Sequence, residues 1–256
     1  MGVNRREFLT IAAGSLAASG LGPLMMARPV TPRPLQAVAF DAFAVFDPRP
    51  ITALAETLFP GKGSELSNAW RTRQFEYQWL RNLAGHYADF WQITEEALVF
   101  SARSLQLELV PEKRARLMQA HLGLKAWPDA PSSLQSLKTA GIRLALLSNM
   151  TASMLKGGIE SAGLEGTFEQ VLSADDVKAY KPDPRAYQLG IDALHVGREA
   201  ILFAASAGWD AAGAKWFGYP TFWVNRLDLP HEELGVTADA VGRDLRGLVD
   251  FVSAAG

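Results

Sequence analysis

From Pro128 to the C-terminus the chain alternates short apolar runs with helical stretches, and no other feature narrows its fold so far. Residues 132–139 read as a helix stopped at Gly141, and residues 142–147 follow as a strand. Residues 152–162 read as a helix closed by Gly163, which can take the left-handed cap conformation, and residues 170–172 as a short strand. A helix at 184–194, a strand at 200–205, a helix at 210–217, a strand at 221–224 and a last helix at about 244–254 complete the pattern. Upstream, residues 36–40 form one more apolar run, which ends at Asp41. Repeated strand–helix units bury both faces of a parallel sheet. The expected fold class is therefore α/β, a doubly wound, Rossmann-like parallel sheet. Ligands of such sheets lie beyond the C-terminal strand ends, where Asp41, Ser148, Asn149 and the 205–210 loop fall.

Between the first run and Pro128 the pattern changes. Residues 51–124 carry bulky side chains at spacings of three and four, with no alternating strand among them. Trp70, Phe75, Tyr77, Trp79, Leu80 and Leu83 belong to one aromatic-rich helix. The expected organisation is a helical subdomain (51–124) inserted into an α/β core (35–50 and 125–256). With 48% hydrophobic residues in 256, the chain can bury one substantial core and a smaller lobe. A net charge of -2 gives no reason to expect nucleic acid or an anionic membrane as partner. The absence of cysteine excludes thiol catalysis, disulfides and zinc–thiolate sites. His86, His121, His195 and His231 are scattered without metal-ligand spacing.

Residues 4–9, Asn-Arg-Arg-Glu-Phe-Leu, resemble the twin-arginine export signature, and an uncharged, Ala/Gly-rich stretch runs on to Ala27. Positive charge followed by a weakly apolar run is the order of an export signal. This implies the twin-arginine export machinery as a partner and an exported, periplasmic protein. An uncleaved segment would instead be an N-terminal anchor, and a loosely docked tail is the plainer alternative. The proline-rich residues 28–34 read as a linker, so signal and linker together span 1–34.

The residues that can carry chemistry are few: Asp41, Ser148, Asn149, Lys181 and Asp210. Singly, each has an ordinary reading as a helix cap or loop surface. Together they sit at or near successive strand ends, which a parallel sheet brings to one crevice. In order, Phe40-Asp41, Leu147-Ser148-Asn149, the Tyr-Lys-Pro-Asp of 180–183 and Trp209-Asp210 resemble the four motifs of the haloacid dehalogenase superfamily. The resemblance is closest to the L-2-haloacid dehalogenase branch and extends over residues 38–254. It includes residues 66–80, which look like that branch's cap helix, the stretch from Lys181 to Tyr187, and residues 211–218.

The resemblance implies a hydrolase that displaces halide from a small 2-haloacid without metal or cofactor. Asp41 would be the nucleophile and Arg71, on the cap, would hold halide and orient substrate. Lys181 would keep Asp41 ionised, Ser148 and Asn149 would bind the substrate carboxylate, and Asp210 would activate the water that cleaves the ester. Phe75, Phe90, Tyr187 and Trp209 would line the substrate pocket, although Phe75 and Phe90 read equally well as inter-helix core. The position two after the nucleophile, a general-acid Asp in the superfamily's phosphatases, is Phe43 here. The final motif, Ala-Ser-Ala-Gly-Trp-Asp at 205–210, offers no extra carboxylate for magnesium. The chain departs from the dehalogenase branch too: the loop after Asp41 is one residue shorter and lacks its Gly and Thr, and Ala205 and Ala207 replace a Ser and an Asn. A binding protein with weakened catalysis, or a superfamily hydrolase (a phosphatase among them) with another substrate, are the alternative readings. The aromatic cap could also be a homodimer face.

Overall fold

The computed structural model describes residues 35–255; the signal and linker expected at 1–34 lie outside them. The chain enters through β1 (Ala37–Phe40), a one-turn helix α1 (Ala42–Val45) and β2 (Phe46–Asp47). Four helices follow, α2 (Arg49–Leu58), α3 (Gly63–Ala84), α4 (Phe90–Ser104) and α5 (Pro111–Gln119), before β3 (Lys125–Ala126). The remainder is α6 (Ala130–Thr139), β4 (Arg143–Ser148), α7 (Ala152–Ala162), β5 (Gln170–Ser173), α8 (Pro184–Leu194), β6 (Ile201–Ala205), α9 (Gly208–Phe217), β7 (Thr221–Val224), β8 (Ala240–Gly242) and α10 (Leu245–Ala255).

Six strands form one parallel sheet in the order β5-β4-β1-β6-β7-β8. All four residues of β1 are buried. Because successive side chains point to opposite faces, Val38 and Phe40 join the core beneath α6, α7 and α10. Ala37 and Ala39 join a second core beneath α8 and α9. The α/β, doubly wound reading therefore holds. The short strand β8 and the one-turn helix α1 are additions that the apolar pattern does not announce. A strand of three residues with Val241 exposed has no apolar run to betray it.

The helical stretch α2–α5 leaves the sheet after β2 and returns at β3, and these two strands pair antiparallel, Phe46 with Ala126 and Asp47 with Lys125. Within it α3 is the spine, ended by Gly85 at φ 69. Its buried stripe is Leu66, Trp70, Gln74 and Gln78, four residues apart. The first two pack in the apolar core, and Trp70 donates its indole N–H to the Thr94 carbonyl of α4 at 2.7 Å. Gln74 donates its amide to the Thr94 hydroxyl of α4 at 2.5 Å, and only Gln78 carries a buried amide to the sheet, at Asn149 beyond β4. Among the described residues no helix is long and apolar enough to cross a membrane.

Candidate active site

Register explains the position of the site. Phe40, the last residue of β1, lies beside Leu146 of β4 and Ala204 of β6. The residues that follow these three strands, Asp41, Asn149 and Ser206, therefore emerge side by side. Asp41 takes the middle position and is 7% exposed. Its Oδ1 accepts from Lys181 Nζ at 3.0 Å. Its Oδ2 accepts from Ser206 Oγ at 2.6 Å and from the Phe43 N–H at 3.1 Å. The last bond makes Asp41 the N-cap of α1, so the ordinary reading of this residue is also true and does not compete with the chemical one.

Lys181, in the loop before α8, is fully buried. Its ammonium donates to Asp41 Oδ1 and, at 2.7 Å, to Asp210 Oδ2. Burial by itself would pull its pKa down; the charges of Asp210 and Asp41 outweigh that and hold it above the ordinary lysine value. Asp210 lies in the first turn of α9, whose N-cap position is Ala207 and has no side-chain cap bond. It is 1% exposed, and burial pushes its pKa up to about 6, reinforced by Asp41 and opposed by Lys181 and by the Tyr187 hydroxyl.

The other expected residues take distinct places. Ser148 Oγ accepts from the Met150 N–H at 3.2 Å, which leaves its hydroxyl hydrogen free to donate elsewhere. Asn149 Oδ1 accepts from the Lys181 N–H at 3.0 Å, and its Nδ2 donates to Gln78 Oε1 at 2.8 Å. Neither residue caps α7, whose N-cap is Thr151. Tyr187, expected on the substrate, is fully buried on α8; its hydroxyl donates to Asp210 Oδ1 at 2.7 Å, so it joins the site through Asp210. That approach depends on Gly213 of α9, where a Cβ would lie 2.5 Å from the Tyr187 hydroxyl oxygen.

Phe75 and Trp209 meet edge to face at 5.4 Å, and Trp79 closes the set, 5.5 Å from Trp209 and 5.8 Å from Phe75. This triangle lays α3 over the residue preceding Asp210. Arg71, one turn before Phe75 and solvent-exposed, stands over the Phe75 ring at 5.8 Å. Among the described residues it is joined to Asp41, Lys181 and Asp210 by no ion pair. Phe90 packs in the apolar core at the start of α4, 3% exposed, and among the described residues it has no ring contact with Phe75 or Trp209. No three histidines or carboxylates cluster as metal ligands among the described residues.

Two residues of this site were not singled out from sequence. Ser206 follows β6 as Asp41 follows β1, but register alone sets Ala205 level with Asp41, and Ser206 reaches the carboxylate only through its hydroxyl at the turn into α9. Gln78 has no sequence signal beyond ending a stripe that begins apolar and turns polar at Gln74.

A carboxylate at the end of a central parallel strand, hydrogen-bonded to a buried ammonium, suits a hydrolase that works through a covalent aspartyl intermediate. The comparisons give that class its name. A family model for haloacid dehalogenase-like hydrolases matches residues 34–218, and the chain belongs to that family. More narrowly, it is 42% identical over 224 residues to an (S)-2-haloacid dehalogenase of Pseudomonas sp. (strain YL), covering 87% of this chain and 97% of that one. The crystal structure of an L-2-haloacid dehalogenase matches with TM-score 0.85 and 44% identity, over 86% of this chain and 99% of the other. The Xanthobacter autotrophicus L-2-haloacid dehalogenase with chloropropionic acid covalently bound matches with TM-score 0.79 and 33% identity, over 87% of this chain and 100% of the other.

Proposed function

We propose that the protein hydrolyses the carbon–halogen bond of (S)-2-haloacids, giving 2-hydroxyacids and halide through an ester on Asp41. The observation that carries this reading is the buried Lys181 ammonium shared between Asp41 and Asp210. It sets a cation against both carboxylates in a site nearly closed to water, where a carboxylate is a stronger nucleophile than in solution. Asp41 attacks C2 of the substrate with inversion and halide departs. Water then attacks Cγ of Asp41, passing a proton to Asp210, and the hydroxyacid leaves with the former carboxylate oxygen. The helical stretch α2–α5 serves as a cap: α3 supplies the apolar wall of Phe75 and Trp79 and presents Arg71, whose guanidinium suits a halide or substrate carboxylate. Phe43, two residues after Asp41, can protonate no leaving group, which separates this site from phosphate-ester chemistry. Chloride release from L-2-chloropropionate, run beside Asp41→Asn, tests the reading. Absence of Asp41-dependent chloride would overturn it.

We also propose export through the twin-arginine machinery to the periplasm, supported by the order of charge and apolar residues in 4–27. Replacing Arg5 and Arg6 together by Lys should retain the protein in the cytoplasm of a cell with that machinery. A homodimer through α3 and α4 is supported by Leu80, Leu83 and Phe100, which are 60%, 85% and 41% exposed. Light scattering should give twice the chain mass, reduced to one by Leu83→Glu.

A further inference from the structure

The two oxygens of Asp41 are not equivalent. Oδ2 accepts two hydrogen bonds, from the Ser206 hydroxyl at 2.6 Å and the Phe43 N–H at 3.1 Å, while Oδ1 accepts one, from Lys181 at 3.0 Å. A carboxylate oxygen has two in-plane lone pairs. Both at Oδ2 are engaged; one at Oδ1 is free. We infer that Oδ1 is the attacking oxygen and that Ser206, with the Phe43 N–H, forms the oxyanion hole for hydrolysis of the resulting ester. The inference rests on the proposed dehalogenase reading and deepens it.

The bonds balance on this assignment. Oδ1 forms the bond to C2 as the carbon–halogen bond breaks and the halide leaves with its electron pair. Oδ2 is then the ester carbonyl oxygen, still held by its two donors. Attack of water on Cγ, with one water proton passing to Asp210, places a full negative charge on Oδ2. Donors already at hydrogen-bond distance stabilise that charge without rearrangement. Collapse breaks the Cγ–Oδ1 bond, and Oδ1 leaves as the hydroxyl oxygen of the product, protonated by Lys181, its neighbour at 3.0 Å. Asp210 returns a proton to Lys181 across 2.7 Å. Asp41 is regenerated with one oxygen from water, and its ionisation releases the proton that accompanies the halide.

The neighbours of Ser206 sharpen its role. Ala205 is fully buried, and Ala207 contributes only a methyl beside it. Among residues 205–207, Ser206 is therefore the sole side-chain hydroxyl or amide available to the ester. It is half-buried, held at the turn into α9, and its hydroxyl donates to Asp41 Oδ2 at 2.6 Å.

The test separates the two half-reactions. With L-2-chloropropionate in excess over enzyme, Ser206→Ala should release about one equivalent of chloride per enzyme in a burst and then stall. Intact-protein mass spectrometry should show the ester accumulating on Asp41, and steady-state kcat should fall roughly 100- to 1,000-fold, the loss typical of one oxyanion donor. Ser206→Thr, which keeps the hydroxyl, should restore most of kcat; this outcome also excludes misfolding as the cause. An unchanged kcat in Ser206→Ala, or equal loss of the chloride burst and of turnover with no ester accumulating, would overturn the role. If the wild-type protein itself releases no chloride, the dehalogenase reading falls first and takes this assignment with it.

Discussion

The side-chain amide of Asn149, at the end of β4, is held between the two halves of the protein: its Nδ2 donates to Gln78 Oε1 on α3 at 2.8 Å. Its Oδ1 takes the Lys181 N–H at 3.0 Å. A side chain from the helical stretch is thus linked, through Asn149, to the backbone of the lysine that binds Asp41. Gln78 is fully buried, so removing its acceptor strands an amide away from water. Gln78→Met should cost about 1–3 kcal/mol of stability and lower kcat/KM about tenfold, as a Lys181 displacement of a few tenths of an ångström would. Urea denaturation and steady-state chloride release measure the two effects.

Lys181 has a harsher dependence. It balances two carboxylates that are nearly sealed from solvent. Lys181→Met should abolish chloride release and destabilise the fold by about 3–5 kcal/mol, the usual result of stranding one side of a buried pair. Lys181→Arg should fail to rescue turnover, because a planar guanidinium cannot place one donor between the two oxygens.

Turnover should follow the ionisation of Asp210. The group must be charged to take a proton from water. Burial and the Asp41 charge push its pKa up to about 6, and esterification of Asp41 removes the second contribution. Accordingly, kcat should rise with pH along a limb at or below about 6 and then level. Asp210→Asn should remove hydrolysis and leave the Asp41 ester intact, visible as a mass adduct. The Tyr187 hydroxyl stabilises the charged form of Asp210. Tyr187→Phe should therefore move the ascending limb to higher pH. Gly213→Ala, which intrudes on that hydroxyl, should do the same while also reducing stability.

His121 predicts an acid sensitivity unrelated to catalysis. It is buried against Trp70, with ring centres 5.1 Å apart, and burial lowers its pKa to about 4, opposed by the carbonyls of Leu117 and Met118. Between its ordinary value near 6.5 and about 4, the unfolded chain binds the proton and the folded chain does not. The stability it permits is complete above pH 6.5 and falls as pH drops toward 4, by about 2 kcal/mol at pH 4.5. Urea midpoints at pH 7 and 4.5 should differ less in His121→Leu than in the wild type.

Much of this arrangement was legible from sequence because it rests on short-range patterns. The runs at 142–147 and 221–224 are buried on both faces, so they read as strands without any partner being known. Asp41, Lys181 and Asp210 were legible as a group because strand ends in a parallel sheet share one edge. What stayed hidden depends on three dimensions. The two-residue strands β2 and β3 owe their existence to each other across the intervening residues 48–124. Gln78 acquires meaning only when α3 brings it to Asn149, and Ser206 only when the turn into α9 swings its hydroxyl onto Asp41. Tyr187 was read toward the substrate, but α8 and α9 pack closely enough at Gly213 to turn it onto Asp210.

The Asp41–Lys181–Asp210 group has a consequence for the end of the cycle. Two carboxylates and one ammonium leave a unit of negative charge in the cleft at neutral pH. Ester formation cancels it, and the chain that holds the intermediate is locally neutral. When water cleaves the ester the charge reappears beside a product that is itself an anion. On the proposed reaction, the step that completes the chemistry thereby sets like charges face to face, and their repulsion would drive the hydroxyacid out.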